Sequence, residues 1–263
     1  MAYKSLFDTE ECKEIQKNLL EEEAKVFHSE YYNDDCLKVL KEMKDNYVDV
    51  TFTSPPYNDK GGEGEDVAAA VGSTHKKYQD VEFQGDWLEW QCEIIDELRR
   101  VSKKYVLYNV QALANNRENV YKLIGRYADC IHDIIVWYKP NGTPTSTPHK
   151  ISNRYEFLLI LKCEGTKGVD TTSEFYFNVI VQNSNHNREF SKIHRAVMSK
   201  DFSDECIREF TSKGDVVLDP FMGMGTTGVS CKEQGRHFVG IELSKLYYEK
   251  AIERIENTRA PLW

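Results

Sequence analysis

The sequence predicts an α/β protein built on a mostly parallel sheet with helices on both faces. Two observations carry this. Short apolar runs alternate along the chain with stretches that keep helical spacing, as strand–helix–strand units require. Near the C-terminus, residues 216–242 read as strand, glycine-rich turn, helix, strand and acidic residue.

The elements follow in order. Asp8 or Thr9 can cap a helix through about residue 25, with Cys12, Ile15 and Leu19 on one face. Residues 1–29 therefore read as an N-terminal helical extension, and residues 30–258 as a single domain. Tyr31 and Tyr32 suit a short strand, and 36–44 a short helix with Leu37, Leu40 and Met43 inward. The run 48–52 is a strand. Trp87, Trp90, Ile94, Leu98 and Val101 keep helical spacing. Strands are expected at 105–110 and 131–138, with a helix at 116–127 between them. The nearly continuous apolar run 155–162 fits a strand buried on both faces. Its closeness to 131–138 suggests an antiparallel pair at a sheet edge. A strand at 175–181 and a helix at 202–210 follow. The last helix, from Ser244 to about Thr258, uses Leu246, Tyr247, Ala251 and Ile255.

Bulk properties narrow the function. The chain has 263 residues, 40% of them hydrophobic, long enough for one large α/β domain. No apolar run approaches membrane-span length, and the N-terminus has no signal-peptide core, so a cytoplasmic protein is expected. Seven cysteines, at 12, 36, 92, 130, 163, 206 and 231, form no Cys-x-x-Cys pair, so no metal is expected. The formal net charge of −9 argues against a surface that attracts polyanions everywhere. Local basic segments remain. One holds His149, Lys150 and Arg154; the other holds Arg188, Lys192, His194, Arg195 and Lys200. Either could meet phosphates or be a solvated patch.

Two motifs carry chemistry. Thr53-Ser54-Pro55-Pro56-Tyr57 ends the strand at 48–52. Two prolines cannot continue a ladder, so their carbonyls are left to face the cleft onto which the strand opens. A hydroxyl, free carbonyls and a ring can hold a flat base by its amino group. The second motif is Asp219-Pro220-Phe221-Met222-Gly223-Met224-Gly225-Thr226-Thr227, followed after one strand by Glu242. Glycines permit a tight turn and close approach to a ligand, and an acid at the next strand end can grip ribose hydroxyls. No Gly-Lys-Ser/Thr follows, so a P-loop is excluded. Each motif has a plainer alternative. Ser-Pro-Pro is common in loops, a Gly-x-Gly turn can be only a turn, and Asp35 can be a helix N-cap. Trp87 and Trp90 read as core.

Together, Ser54-Pro55-Pro56-Tyr57, the Asp219–Thr227 turn and Gly240-Ile241-Glu242 resemble the amino-methylating DNA methyltransferases, in the order of their permuted beta group. The resemblance extends through Asn33-Asp34-Asp35-Cys36, Trp137-Tyr138-Lys139-Pro140 and Asn153-Arg154-Tyr155-Glu156, covering roughly residues 30–258. It implies a Rossmann-like methyltransferase fold and transfer of a methyl group from S-adenosylmethionine to cytosine N4 or adenine N6. It implies catalytic roles for Ser54, Pro55, Pro56 and Tyr57. It assigns Asp219 to the methionyl amino group and Phe221, Gly223, Gly225, Thr226 and Thr227 to the cofactor turn. Glu242 goes to the ribose and Asp35 to the adenine edge. Ser54, where adenine enzymes more commonly have Asp, favours cytosine. DNA-recognition segments are expected at 58–83, 139–153 and 164–200. A cognate restriction endonuclease and a homodimer are implied as partners. A catalytically silent nucleic-acid-binding subunit of the same fold is the competing reading. Met224 between the glycines and the shortness of 164–200 depart from the family pattern.

Overall fold

The computed structural model describes residues 27–56, 86–113, 116–142, 149, 151–184 and 197–260. Among these residues the chain forms eight strands and six helices. They run β1 (Ser29–Tyr32), α1 (Cys36–Glu42), β2 (Val48–Thr53), α2 (Trp87–Val101), β3 (Ser102–Val110), α3 (Arg117–Arg126), β4 (Ile131–Tyr138), β5 (Tyr155–Lys162), β6 (Val179–Val181), α4 (Lys200–Phe210), β7 (Val216–Asp219), α5 (Thr226–Gln234), β8 (His237–Ile241) and α6 (Lys245–Glu256). The helix expected at 8–25 and the segment 58–83 lie outside the described residues, as do Cys12 and Tyr57.

All strands join one sheet in the order β1-β8-β7-β2-β3-β5-β4-β6. Every pairing is parallel except those of β5, which runs antiparallel to both β3 and β4. Two-residue alternation divides the sheet's side chains between two cores. Val106, Tyr108, Leu159 and Leu161 face the cluster formed with Leu40, Ile94, Leu98 and Leu123 of α1, α2 and α3. Tyr105, Leu107, Leu158 and Ile160 face Phe202, Ile207, Val229, Ala251 and Ile255 of α4, α5 and α6. Helices thus cover both faces, as the sequence predicts.

Three expectations are corrected. The β4–β5 pair is antiparallel but not at the edge, because β6 adds outside β4 and becomes the edge itself. The strand expected at 175–181 shrinks to Val179–Val181: only these residues pair in register, with Val136, Trp137 and Tyr138, and Phe175 and Phe177 are left exposed. Leu246 is 49% exposed, whereas Tyr247, Ala251 and Ile255 are buried. The buried three repeat every four residues; Leu246 lies one residue, about 100°, off that stripe. Among the described residues, Cys36, Cys92, Cys130, Cys163, Cys206 and Cys231 are buried and form no disulfide.

Candidate active site

Seven strands, β1, β8, β7, β2, β3, β4 and β6, run in the same sense, so their C-terminal ends form one rim. Open α/β sheets bind ligands at this rim. Both motifs reach it from adjacent strands, since Thr51 of β2 pairs with Leu218 of β7.

Asp219 is the junction. Its Oδ1 accepts from Thr53 Oγ1 at 2.7 Å and from the Phe221 N–H at 3.1 Å. Its Oδ2 accepts from Thr227 Oγ1 at 2.7 Å. The carboxyl is 3% exposed, and that burial pushes its pKa up to about 6 against the three hydrogen bonds, which lower it. One side chain therefore ties the strand before Ser54 to the glycine turn and to the first turn of α5.

The turn is made by two glycines in left-handed conformation, Gly223 at φ 49° and Gly225 at φ 74°. They are glycines for different reasons. A Cβ on Gly225 would press on Ala251 and Ile255 of α6, at 3.0 to 3.2 Å. A Cβ on Gly223 would meet only the Phe221 carbonyl at 3.9 Å, so open space lies over this point. That open space, beside two buried carboxylates, fits the amino-acid and ribose parts of a nucleoside cofactor. Met224, the departure between the glycines, is buried, and its carbonyl accepts from Arg254 Nη1 at 2.9 Å.

Glu242 follows β8, as the spacing predicts. It is 2% exposed; Oε2 accepts from the Gly223 N–H at 2.9 Å and Oε1 from the Ser244 N–H at 2.8 Å. Asp35 is the N-cap of α1, its Oδ1 accepting from the Lys38 N–H at 3.0 Å. Phe221 packs its ring on Trp90, with centroids 5.7 Å apart. Thr226 accepts from Arg254 Nη1 at 3.1 Å.

On the β2 side, Pro55 is buried and Ser54 half-buried. The expectation that both proline carbonyls are left over is corrected at Pro56. The Trp87 indole N–H, at the start of α2, donates to its oxygen at 3.4 Å. Trp87 itself is buried, in agreement with its core reading.

The DNA methylase model of the N6/N4 class matches residues 48–253. The chain belongs to that family. S-adenosylmethionine is the cofactor of these DNA amino-methyltransferases. The methylase chain is 26% identical over 261 residues to the type II methyltransferase M.BglII of Bacillus subtilis, covering 84% of this chain and 67% of that one. It is 24% identical over 250 residues to M2.DpnII of Streptococcus pneumoniae, covering 84% and 87%. With M.Cfr9I of Citrobacter freundii it shares 35% identity over 130 residues, 46% of this chain and 43% of that one. Among solved structures, the M1.HpyAVI–SAM complex has a TM-score of 0.61 at 22% identity, covering 86% and 99%. The PvuII DNA methyltransferase, described as cytosine-N4-specific, has a TM-score of 0.66 at 14% identity, covering 90% and 89%. These two show the methyltransferase fold.

Three residues to which the sequence gives no site role also stand at the rim. Asn109 of β3 and Glu156 of β5 are buried, and Asn109 Nδ2 donates to both Ser54 Oγ, at 3.3 Å, and Glu156 Oε2. Lys139 Nζ pairs with Glu156 Oε1 and lies 4.4 Å from the Trp137 ring centroid. Their signal was present: a polar residue interrupting an apolar strand is the informative kind of exception.

The basic set is only partly described. His149 is exposed with φ 61°, and Arg154 leads into β5 at the rim. Lys200 is ion-paired with Asp204 and Glu233. Lys150, Arg188, Lys192, His194 and Arg195 lie outside the described residues. No group of metal-ligating side chains occurs among the described residues, and no described helix is long and apolar enough to cross a membrane.

Proposed function

We propose that this methyltransferase modifies the N4 amino group of cytosine within a specific DNA sequence. The observation that carries the proposal is the Thr53–Asp219–Thr227 junction. It joins the strand that ends in Ser54 to the glycine turn as one hydrogen-bonded unit. Amine acceptor and cofactor cradle are thereby held at fixed separation, and positioning is the main catalytic resource of a direct displacement.

An exocyclic base amine is a weak nucleophile because its lone pair is delocalised into the ring. Ser54 Oγ and the Pro55 carbonyl accept hydrogen bonds from its two N–H groups and favour a lone pair localised on nitrogen. Pro56 is the rigid spacer, its own carbonyl turned to Trp87. The target must leave the duplex stack to reach this rim, and Tyr57 stacks on the flipped base. S-adenosylmethionine, when bound, supplies the methyl group on its sulfonium. Asp219 has three protein donors; a carboxylate has about four acceptor positions, which leaves one for the methionyl amino group. Glu242 grips the ribose hydroxyls and Asp35 the adenine edge. Ring-carbon methylation through a cysteine adduct is disfavoured, because the chain has no Pro-Cys pair.

Ser54 in place of the Asp more common among adenine enzymes is what favours cytosine. His149, Lys150, Arg154, Arg188, Lys192, His194, Arg195 and Lys200 are the proposed phosphate contacts. Lys200 is the weakest of them, since it would have to leave Asp204 and Glu233. A restriction endonuclease of matching specificity and a homodimer complete the proposal on the family's pattern.

The test is methyl transfer from labelled S-adenosylmethionine to duplex DNA, followed by mass spectrometry of the nucleosides. N4-methylcytosine is expected, and Ser54→Ala should lower turnover more than cofactor binding. N6-methyladenine would replace cytosine by adenine as target. Cofactor binding without transfer would favour the silent-subunit reading, and preference for RNA over DNA would refute the substrate.

A further inference from the structure

We propose that Asn109 is the positioning residue for Ser54, with Glu156 and Lys139 fixing which way its amide faces. This rests on the reading of Ser54 as acceptor of the target amine.

The register puts Asn109 beside the motif. Thr53 of β2 pairs with Tyr108 of β3, so Ser54 and Asn109 are the next residues on neighbouring strands. Asn109 is 1% exposed, and its Nδ2 lies 3.3 Å from Ser54 Oγ. An amide has a donor end and an acceptor end. A carboxylate paired with Lys139 is acceptor only, so Glu156 compels the donor end of Asn109 to face it. Both Nδ2 hydrogens are then committed, one to Glu156 and one to Ser54.

The carbonyl end supports the same conclusion. Asn109 Oδ1 is buried with no hydrogen-bond partner among the described residues. Leaving such an acceptor unpaired carries a desolvation cost. The amide cannot escape that cost by turning over, because its oxygen would then confront the Glu156 carboxylate. A serine side chain alone can occupy three rotamers with a freely turning hydroxyl. An N–H donated from a fixed amide holds Oγ on the β3 side. It occupies one lone pair and leaves the other for the substrate. Asn109 thus gives a neutral serine a set direction of acceptance.

Turnover is measured for Asn109→Leu, Ser54→Ala and the double variant, with thermal melts as the check on folding. Asn109→Leu should lower kcat by roughly 10–100-fold, leave the KM for cofactor within about twofold, and add nothing on top of Ser54→Ala. A folded Asn109→Leu with unchanged kcat, or one whose loss adds in full to that of Ser54→Ala, would overturn the inference. A second arm keeps the site polar. Asn109→Asp sets two carboxylates in contact, which then share a proton. Its rate profile should gain a pH step absent from the wild type. Glu156→Gln in that background restores a carboxylate–amide pair and should remove the step; absence of the step in Asn109→Asp also overturns the inference. If the wild type transfers no methyl group to DNA, the Ser54 reading fails and this inference fails with it. If the wild type is active and Asn109 indifferent, only this inference fails.

Discussion

Thr53 Oγ1 donates to Asp219 Oδ1 at 2.7 Å, across 166 residues of sequence. Parallel pairing of β2 with β7 brings the two strand ends together, and both groups are buried. The bond joins the residue before Ser54 to the residue that opens the glycine turn.

Replacing Thr53 by Val keeps the shape and removes the donor. Asp219 then loses one of its three hydrogen bonds. A loss of about 1–3 kcal/mol in stability is expected, together with weaker cofactor binding. Denaturant melts and calorimetric titration with S-adenosylmethionine measure the two effects. Unchanged values for both would show that the junction carries no energy.

Asp219 predicts a pH dependence with a definite sign. Its pKa is raised from 3.8 to about 6 by burial, so the folded state disfavours its charged form. The unfavourable term is absent below about pH 4, grows as pH rises, and is complete above about 6. Two units correspond to about 3 kcal/mol. The stability of the wild type relative to Asp219→Asn should therefore fall between pH 4 and pH 7 in urea titrations. Cofactor binding should move the other way, weakening below about pH 6 as the carboxylate takes up its proton. A stability difference flat across this range would refute the shift.

Glu242→Ala removes acceptors from two backbone N–H groups, those of Gly223 and Ser244. The expected result is a cofactor Kd raised tenfold or more, with the melt lowered by only a few degrees. Equilibrium dialysis with labelled cofactor reads the first. Intact affinity would remove Glu242 from the cofactor site.

The glycines of the turn and of the following helix should separate binding from packing. A Cβ on Gly228 would lie 2.4 Å from Ile255 Cδ1 and 2.9 Å from the Phe238 ring. Gly228→Ala should cost about 1–3 kcal/mol of stability and leave kcat of the folded fraction close to wild type. Gly223→Ala meets open space but must hold φ 49°, a strain of about 1–2 kcal/mol. Its main effect should be on cofactor affinity. Melts and binding measured on both variants would contradict this division if Gly228→Ala were the one to lose affinity.

The sequence by itself determined the elements that periodicity marks. The helix of Trp87–Val101 and the strands Ile131–Tyr138 and Tyr155–Lys162 were legible because long apolar patterns are local properties. The two motifs were legible because prolines, paired glycines and an acid at a strand end are rare in combination. Tertiary structure alone decided three further things. It made β6 the edge, because pairing order depends on which strand ends meet and leaves no trace in either strand's own pattern. It gave Asp35 a capping role that competes for the same side chain. Above all, it brought Asn109, Glu156 and Lys139 to Ser54. Each looks in sequence like one polar residue beside an apolar run; only a register between strands far apart in the chain turns them into a single hydrogen-bonded group.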